Sequence, residues 1–453
     1  MLTRLRLESF KSWQDTESVA LKPKTGFFGA NSSGKSGLIH ALLLLKQTAD
    51  SADRAIVFHF GGAATRVDLG DFKSVVHGHE TDRALGLYLT WRTERSFEVT
   101  DTDRNQSVAQ SSDVGFQVAS RLVGTGPRKR LVVDRMSYRV GEATFGMRRG
   151  SGSKYRPFTE NADFNFFRRR GRPSDVTSLV KCYGFPDTVR ANYQNAGFLS
   201  DLEFALEKRL EDIYYLGPLR AYPQRVYPWS GAQPTDMGQA GESVVDALLA
   251  ARQQGLKISP GYRKRRLTLE QYVALWLQKL GLIHRFRVVP VAEGSRLFEV
   301  RVQQSPKAAE VLITDVGFGV SQILPVLVLC FYVPEGSTVI LEQPEIHLHP
   351  SVQAGLADVF IDAWEKRRVQ VFVESHSEHL LRRLQRRIAE EKLSREDVGL
   401  YFCTAEEGVS KLDALQVDMF GNIHNWPQDF FGDQFGEIAA MSEAALKRRQ
   451  EAV

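Results

Sequence analysis

The stretch "GANSSGKS", Gly29 to Ser36, decides the fold predicted for this chain of 453 residues. It matches G-x-x-x-x-G-K-[ST] and lies between an apolar strand, "TGFFG", and an apolar helix, "GLIHALLLLKQTA". In that context successive backbone N–H groups point at one anion, and the helix N-terminus adds partial positive charge. The sequence therefore predicts a phosphate-binding loop, formed by Gly29, Ala30, Asn31, Ser32, Ser33, Gly34, Lys35, Ser36 and Gly37.

Two side chains of this loop have specific predicted roles. Lys35 is expected to reach the β- and γ-phosphates, and Ser36 is expected to bind Mg²⁺. The predicted cofactors are therefore ATP and Mg²⁺.

A second informative stretch is "VILEQPEIHLHP", residues 339–350, where an apolar run stops at an acid, Glu342. A phosphate-loop enzyme needs an acid at the end of a neighbouring strand to hold Mg²⁺. Glu342 meets that need, and the order is right, with the loop early in the chain and the acidic strand late. Glu342 and Ser36 are therefore the predicted metal ligands.

Two other interpretations of the same stretch are weaker. A zinc site would use His347 and His349, but their i, i+2 spacing in a turn suits a shared metal poorly without a third ligand. A two-carboxylate hydrolase would use Glu342 and Glu345. The phosphate loop already explains why an acid ends this strand, so both interpretations are disfavoured.

The composition is that of an ordinary globular protein, with 43% apolar residues, 25% charged residues and a net charge of +5. No run approaches the ~20 apolar residues that span a membrane, so no membrane association is expected. The three cysteines have no metal or redox spacing, which favours the cytoplasm. Basic clusters lie at 127–130, 147–150, 166–173 and 262–267, and they either follow a nucleic-acid backbone or form a solvated surface.

Alternating strand and helix patterns near both ends predict βαβ units and hence an α/β fold with a mixed central sheet and helices on both faces. Residues 1–100 are predicted to form the first half of this unit and residues 284–400 the second half. Residues 101–215 are polar, rich in Gly and Arg, and are interpreted as an irregular insertion. Residues 216–283 are predicted to be a return segment with a helical subdomain, and residues 401–453 a tail domain.

Four segments together resemble the nucleotide motifs of ABC-type, AAA-family ATPase heads: "GANSSGKS", "DVGFGVSQ", "ILEQPEIHLHP" and "VFVESHSEHLL". The similarity is to the SMC, RecF and OLD-like group. "YLGPLRAYPQRVY" and the tail "VDMFGNIHNWPQDFFGDQF" resemble stand-alone bacterial ATPases of this group that are associated with defence against phages. The resemblance implies that two heads dimerise head-to-tail around two ATP molecules.

The resemblance also implies residue roles. Gly317 and Gly319 would approach the γ-phosphate of the partner subunit's nucleotide, with Ser321 and Gln322 at the start of the following helix. His376 would be the switch histidine that senses the γ-phosphate.

One position departs from the family pattern. ABC heads have a catalytic glutamate directly after the magnesium acid, and here that position is Gln343. A carboxamide orients water but cannot accept its proton at neutral pH. Either Glu345 substitutes as the base, or hydrolysis is slow and ATP mainly holds the closed dimer. The predicted catalytic set is Glu342, Gln343, Glu345 and His376.

Two functions are open at this point. The first is an ATP-driven sensor or scaffold, triggered by nucleic acid or a phage protein, that controls a separately encoded nuclease or toxin. The second is a RecF-like or SMC-like ATPase that acts on DNA directly in repair or chromosome maintenance. A transporter subunit is poorly supported, because the chain has no LSGGQ-type signature. The aromatic tail segment "NIHNWPQDFFGD" either packs on the head or docks a partner.

Overall fold

The computed structural model describes residues 1–62, 65–101, 104, 106–150, 153–171, 174–427, 440–445 and 448. In chain order, the strands are β1 (Leu2–Phe10), β2 (Trp13–Asp15), β3 (Val19–Ala20), β4 (Lys24–Gly29), β5 (Leu85–Asp101), β6 (Gln106–Val123), β7 (Arg130–Val140), β8 (Ala143–Arg149), β9 (Tyr155–Glu160), β10 (Ile213–Leu216), β11 (Tyr227–Pro228), β12 (Lys257–Ile258), β13 (Leu267–Thr268), β14 (Arg285–Pro290), β15 (Leu297–Gln303), β16 (Val311–Leu312), β17 (Thr338–Glu342), β18 (Gln370–Glu374), β19 (Val398–Glu406) and β20 (Val409–Ala414). The α-helices are α1 (Lys35–Asp50), α2 (Phe72–Val75), α3 (Asp187–Asn192), α4 (Leu199–Glu211), α5 (Val244–Gln254), α6 (Leu269–Lys279), α7 (Phe318–Tyr332), α8 (Pro350–Arg367) and α9 (Glu378–Ala389).

A six-stranded sheet carries the phosphate-binding loop, in the order β10-β17-β18-β4-β19-β20. Every neighbouring pair is parallel except β19 and β20. Because successive side chains of a strand point to opposite faces, Phe27 joins one core with α1 while Phe28 joins the other with α7 and α8. The predicted α/β fold with a mixed sheet and helices on both faces is confirmed. The loops that follow β4, β17 and β18 meet at one edge of the sheet.

A second, antiparallel sheet lies on the α1 side, in the order β2-β1-β5-β6-β7-β8-β9, with β3 also paired to β1. Its strands β6 to β9 occupy residues 106–160, so the prediction of an irregular polar segment there was wrong. The inner residues Val114, Phe116 and Val118 are buried, whereas the outer face carries polar residues such as Gln117 and Arg121. The two-residue alternation that marks a strand is interrupted in β6 by the register shift between Ala119 and Ser120.

The opposite face of the parallel sheet is covered by α5 to α9, whose apolar residues form one core with β17 and β18. Helices α5 and α6 lie within residues 216–283, where the sequence predicts a helical subdomain. Helix α6 begins with a capping box, in which the Thr268 and Gln271 side chains bond to each other's backbone N–H. In the described ranges no helix is long and apolar enough to cross a membrane.

The predicted division into five segments stays a prediction, with one observation bearing on its boundaries. Strand β10 falls inside the segment interpreted as an insertion, yet it is an edge strand of the parallel sheet.

In the tail, the Arg382 guanidinium lies over the Trp426 ring on the surface of α9. Phe430 and Phe431, the other tail aromatics considered for packing, lie outside the described residues.

Candidate functional site

The phosphate loop connects β4 to α1 and has the backbone conformation that its glycines permit. Gly29 has φ 139° and Gly34 has φ 93°, a region that side chains with a Cβ rarely adopt. A Cβ on Gly29 would collide with the carbonyl oxygen of Cys403 on β19. Beneath the loop, the buried Trp13 donates its indole N–H to the Gly34 carbonyl oxygen at 3.0 Å. The loop is therefore in contact with β19 at Gly29 and with Trp13 at Gly34.

Lys35, the predicted phosphate-binding lysine, is buried in the loop. Its Nζ donates to the carbonyl oxygens of Gly29 at 3.1 Å and Ala30 at 2.6 Å. Burial lowers the pKa of this ammonium, and the charges of Glu374 and Glu345 oppose that shift. In the same loop Ala30, Asn31 and Ser32 are exposed, while the hydroxyl of Ser33 is buried without a hydrogen-bond partner.

Two acids end adjacent strands at the loop. Glu342 ends β17, Glu374 ends β18, and their Cα atoms are direct partners in the sheet register. Burial raises the pKa of Glu374 to about 7, and the nearby charge of Glu342 adds to the increase. A hydrogen bond with Ser36 and the charge of Lys35 act in the opposite direction. The predicted metal ligands, Ser36 and Glu342, are thus joined by a third oxygen donor that the sequence analysis missed.

Glu342 is surrounded by polar groups from three other elements. The Nε2 atom of His40, on α1, lies 3.2 Å from Glu342 Oε1, without the geometry of a hydrogen bond. The Nζ atom of Lys11 in turn lies 2.8 Å from His40 Nδ1. Glu342 also hydrogen-bonds the Tyr215 hydroxyl on β10, which together with burial raises the pKa of that phenol. These neighbours fix the position of the carboxylate.

Glu345 and His376 are brought together, as a shared catalytic role requires. The backbone N–H of His376 donates to Glu345 Oε1 at 2.7 Å, while Glu345 Oε2 is buried without a partner. Burial raises the pKa of the Glu345 carboxyl. Burial and the charge of Lys35 lower the pKa of His376, so its ring is neutral at pH 7.

Gln343 begins the turn between β17 and α8. Its φ is 43°, and its backbone N–H donates to the Glu374 carbonyl oxygen at 2.8 Å. Of the two histidines considered for zinc, His347 is exposed, and the His349 side chain accepts from the Ser351 N–H at the start of α8. The N-capping contact of His349 is a structural role.

The segment "DVGFGVSQ" precedes and opens α7, as expected. Gly317 is exposed, and a Cβ there would meet nothing within 4 Å. Gly319 is half-buried, with Leu282 as its nearest neighbour. Ser321 and Gln322 are both buried, and the Ser321 hydroxyl donates back to the Phe318 carbonyl oxygen at 2.9 Å. In this chain the exposed residues of the segment are Asp315, Gly317 and Phe318.

Sequence reasoning also missed Arg220, which follows β10 and reaches the carbonyl oxygen of Glu342 at 3.5 Å. A signal for Glu374 was present, because "VFVE" is an apolar run that stops at an acid, as "VILE" does. The signal for Arg220 was the segment "YLGPLRAYPQRVY", which carried a resemblance but no assigned chemistry.

Seven buried polar atoms without a hydrogen-bond partner surround the loop, and they test whether a magnesium nucleotide fits. Three are carboxylate oxygens, able to bind a cation or its water, three belong to Arg220 and Ser33 and can donate to phosphate, and the seventh is a ring nitrogen of His376. They are Glu342 Oε1, Glu345 Oε2, Glu374 Oε2, Arg220 Nε and Nη1, His376 Nε2 and Ser33 Oγ. Because buried polar groups are normally paired, this donor and acceptor set fits a phosphate with a hydrated cation.

A mixed sheet with a phosphate loop, an acidic strand end and a following histidine at one edge has the fold of a P-loop ATPase of the ABC type. Residues 191–382 match the family described as "AAA domain, putative AbiEii toxin, Type IV TA system". Residues 393–441 match the family described as "Protein of unknown function (DUF3696)". The AAA match begins after the phosphate loop, and the pairing of β4 with β18 joins the two parts.

Among solved structures, three SMC heads align with 92% of this chain. An SMC head bound to the C-terminal winged-helix domain of ScpA is 12% identical, with 98% of it covered and a TM-score of 0.48. The SMC head domain of Thermotoga maritima is 10% identical, with 99% covered and a TM-score of 0.41. An SMC head from Pyrococcus furiosus with an extended coiled coil is 10% identical, with 96% covered and a TM-score of 0.46. A sequence search of curated proteins found no match.

Proposed function

We propose that this ATPase binds Mg²⁺-ATP at the loop 29–37 and closes as a head-to-tail homodimer around two ATP molecules, thereby controlling a separately encoded effector. The observation that supports nucleotide binding most strongly is the set of seven unpaired buried atoms around the loop. Unpaired donors and acceptors at one site are best explained by a ligand that pairs with them.

In this proposal Lys35 binds the β- and γ-phosphates, and its two bonds to loop carbonyls are exchanged for bonds to phosphate oxygens. Ser36 and Glu342 hold Mg²⁺, with Glu374 close enough to bind the ion or its water. Magnesium, when bound, neutralises the charge of the phosphates. Magnesium sites in such enzymes bind the ion through one or two carboxylates and the phosphates of the substrate.

Glu345 is the proposed general base, because Gln343 cannot take a proton. Its Oε1 is held by the His376 N–H, which leaves Oε2 to accept a proton from water. Burial raises the pKa of Glu345, which makes its carboxylate a better proton acceptor. Gln343 would orient the same water through its carboxamide.

The dimer is supported by exposed aromatic side chains beside the signature segment. Tyr222 is 77% exposed and Phe318 is 55% exposed, and their rings are 5.9 Å apart with an edge-to-face orientation. The ring of the exposed His347 lies 6.4 Å from that of Phe318. Large apolar groups clustered on a surface mark an interaction site. A second head would cover this cluster and bring Gly317 to the partner's nucleotide.

Size-exclusion chromatography with light scattering tests the dimer. With ATP and Mg²⁺, a slowly hydrolysing Glu345→Gln variant is expected to change from monomer to dimer. Adding Phe318→Asp should keep it monomeric while ATP binding persists. The matched control is Phe204→Asp, because Phe204 is 67% exposed on α4, and this control should still dimerise. An unchanged monomer mass in the presence of ATP would refute the dimer.

The effector is proposed to be a nuclease or toxin, with a nucleic acid or phage protein as the trigger, in bacterial anti-phage defence. The toxin-related description of the matched AAA family supports a link to an effector. The proposed location is the cytoplasm, where buried free thiols such as Cys182 stay reduced. Affinity purification from the native host, with and without ATP, tests this part. Recovery of the ATPase without any stoichiometric partner would contradict it.

A second candidate is a RecF-like ATPase that binds DNA directly. It is favoured by Arg128, Arg130 and the run Arg168–Arg170, which are exposed or half-exposed and form no ion pair within the described part of the chain. In contrast, the outer face of the antiparallel sheet is largely neutralised, as in the pairs Arg121–Asp134 and Arg135–Glu160. Binding of labelled DNA at increasing salt separates the candidates, because tight binding with a steep salt dependence and no partner supports the second.

A further inference from the structure

Arg220 is a guanidinium placed among the acids of the candidate site. It lies four residues after the end of β10, which is the sheet neighbour of the strand that ends in Glu342. Its side chain turns inward, whereas the adjacent Leu219 and nearby Tyr222 are strongly exposed. The segment therefore directs one charged side chain into the site while its apolar residues face solvent.

The hydrogen-bonding groups of Arg220 are mostly unused. Its Nη2 reaches only the Glu342 carbonyl oxygen, at 3.5 Å, which is the outer limit for a hydrogen bond. Its Nε and Nη1 are buried without a partner. Burial lowers the pKa of Arg220 to about 10, so the group is still charged at neutral pH. A buried cation with two unused N–H groups is costly unless an anion completes it.

The neighbouring carboxylates do not act as that anion. Glu342 and Glu345 are close enough for their charges to affect the pKa of Arg220. Within the described residues, however, no carboxylate oxygen lies within ion-pair distance of this guanidinium, and both acids keep an unpaired oxygen of their own. An arginine that served only as their counterion would bond to them directly. The Arg220 nitrogens that these acids leave unpaired are available to a different anion.

The position of Glu345 indicates which part of a nucleotide this anion would be. Arg220 Nη2 reaches the carbonyl oxygen of Glu342, the predicted magnesium ligand, and Glu345 follows three residues later in the turn after β17. Lys35 serves the β- and γ-phosphates, and Glu345 is on the side where the attacking water would be activated. Arg220 therefore faces the terminal phosphate rather than the base or the sugar.

We propose that Arg220 donates two hydrogen bonds to the terminal phosphate of the nucleotide bound by its own chain, and so makes the site selective for triphosphate over diphosphate. A planar guanidinium presents N–H groups in a fork that matches phosphate oxygens. A diphosphate lacks the group that pairs with the fork and leaves the donors buried and unpaired. This inference rests on the proposed nucleotide binding at Lys35.

The test compares the dissociation constants of ATPγS and ADP, each with Mg²⁺, by isothermal titration calorimetry. For Arg220→Ala, the loss of two charge-assisted bonds should weaken ATPγS binding roughly 10- to 100-fold and leave ADP binding within about twofold. Arg220→Lys keeps the charge without the fork, so it should lose triphosphate affinity to a smaller extent. The control is Arg225→Ala in the same segment, because Arg225 is exposed and paired with Asp315 at 2.8 Å.

The outcomes separate this inference from the proposed function. In both Arg220 variants the affinities for ATPγS and ADP could fall equally, or neither could fall. Either result would show that Arg220 does not bind the terminal phosphate. If the nucleotide-free Arg220→Ala variant unfolds at a lower temperature while the affinity ratio of Arg220→Lys is unchanged, the residue is structural. If the wild-type protein binds neither nucleotide, the proposed function itself is wrong and this inference falls with it.

Discussion

Replacing Glu374 with glutamine tests the electrostatics of the site without any nucleotide. Burial raises the pKa of Glu374 from 4.5 to about 7. Between these values the folded protein holds a proton that the unfolded chain has lost, so stability falls as pH rises from 4.5 to 7 and stays low above 7. The difference corresponds to about 3 kcal/mol, from roughly 2.5 pKa units at 1.36 kcal/mol each. Glutamine is nearly isosteric with the protonated acid and avoids this penalty.

The expected result is that Glu374→Gln is more stable than wild type at pH 8 and equal to it near pH 4.5. With an unfolding entropy of roughly 1 kcal/mol per degree for a chain of this length, the gain at pH 8 is about 3 °C. Differential scanning fluorimetry of the nucleotide-free protein across pH measures it, with Glu407→Gln at an exposed turn as the control. If Glu374→Gln changes the melting temperature equally at all pH values, or lowers it at pH 8, the pKa of Glu374 is not raised by burial.

Four further substitutions have definite expected outcomes. Lys35→Ala should weaken ATP binding by roughly 100-fold, because a charge-assisted contact with the phosphates is lost, and a fluorescent ATP analogue measures this. Glu345→Ala should abolish phosphate release while Gln343→Glu increases it, and turnover that survives Glu345→Ala would rule out Glu345 as the base. Gly34→Ala should lose about 1–3 kcal/mol from strain at φ 93° and from contact with Ser410, seen as a lower melting temperature that ATP does not restore.

Local sequence was sufficient for the parts of the site that lie within one strand and its following turn. The phosphate loop and Glu342 each follow an apolar strand, and the sequence shows both the strand and the polar residue that ends it. The prediction of an α/β fold depended on the same repeated unit, and it is confirmed. In each case the information lies within about ten residues.

The positions of Glu374 and Arg220 beside the phosphate loop depend on the order of the strands in the sheet. A single sequence does not reveal that order. Glu374 belongs to the site because β18 lies between β4 and β17, and Arg220 belongs to it because β10 pairs with β17. The strands β6 to β9 were missed for another reason. Their outer face carries enough arginine and other polar residues to make the segment resemble a loop in composition.

The pairing of β4 also determines when this protein can first fold during its synthesis. Within the residues that the structure describes, β4 pairs with β18 and β19, about 345 and 375 residues later in the chain, and Gln370 bonds to the backbone of Leu2 in the same region. Until the ribosome has delivered those strands, β4 has two open edges and its phenylalanines lack one side of their core. Unpaired strand edges of this kind favour aggregation, so the parallel sheet is completed only late in synthesis.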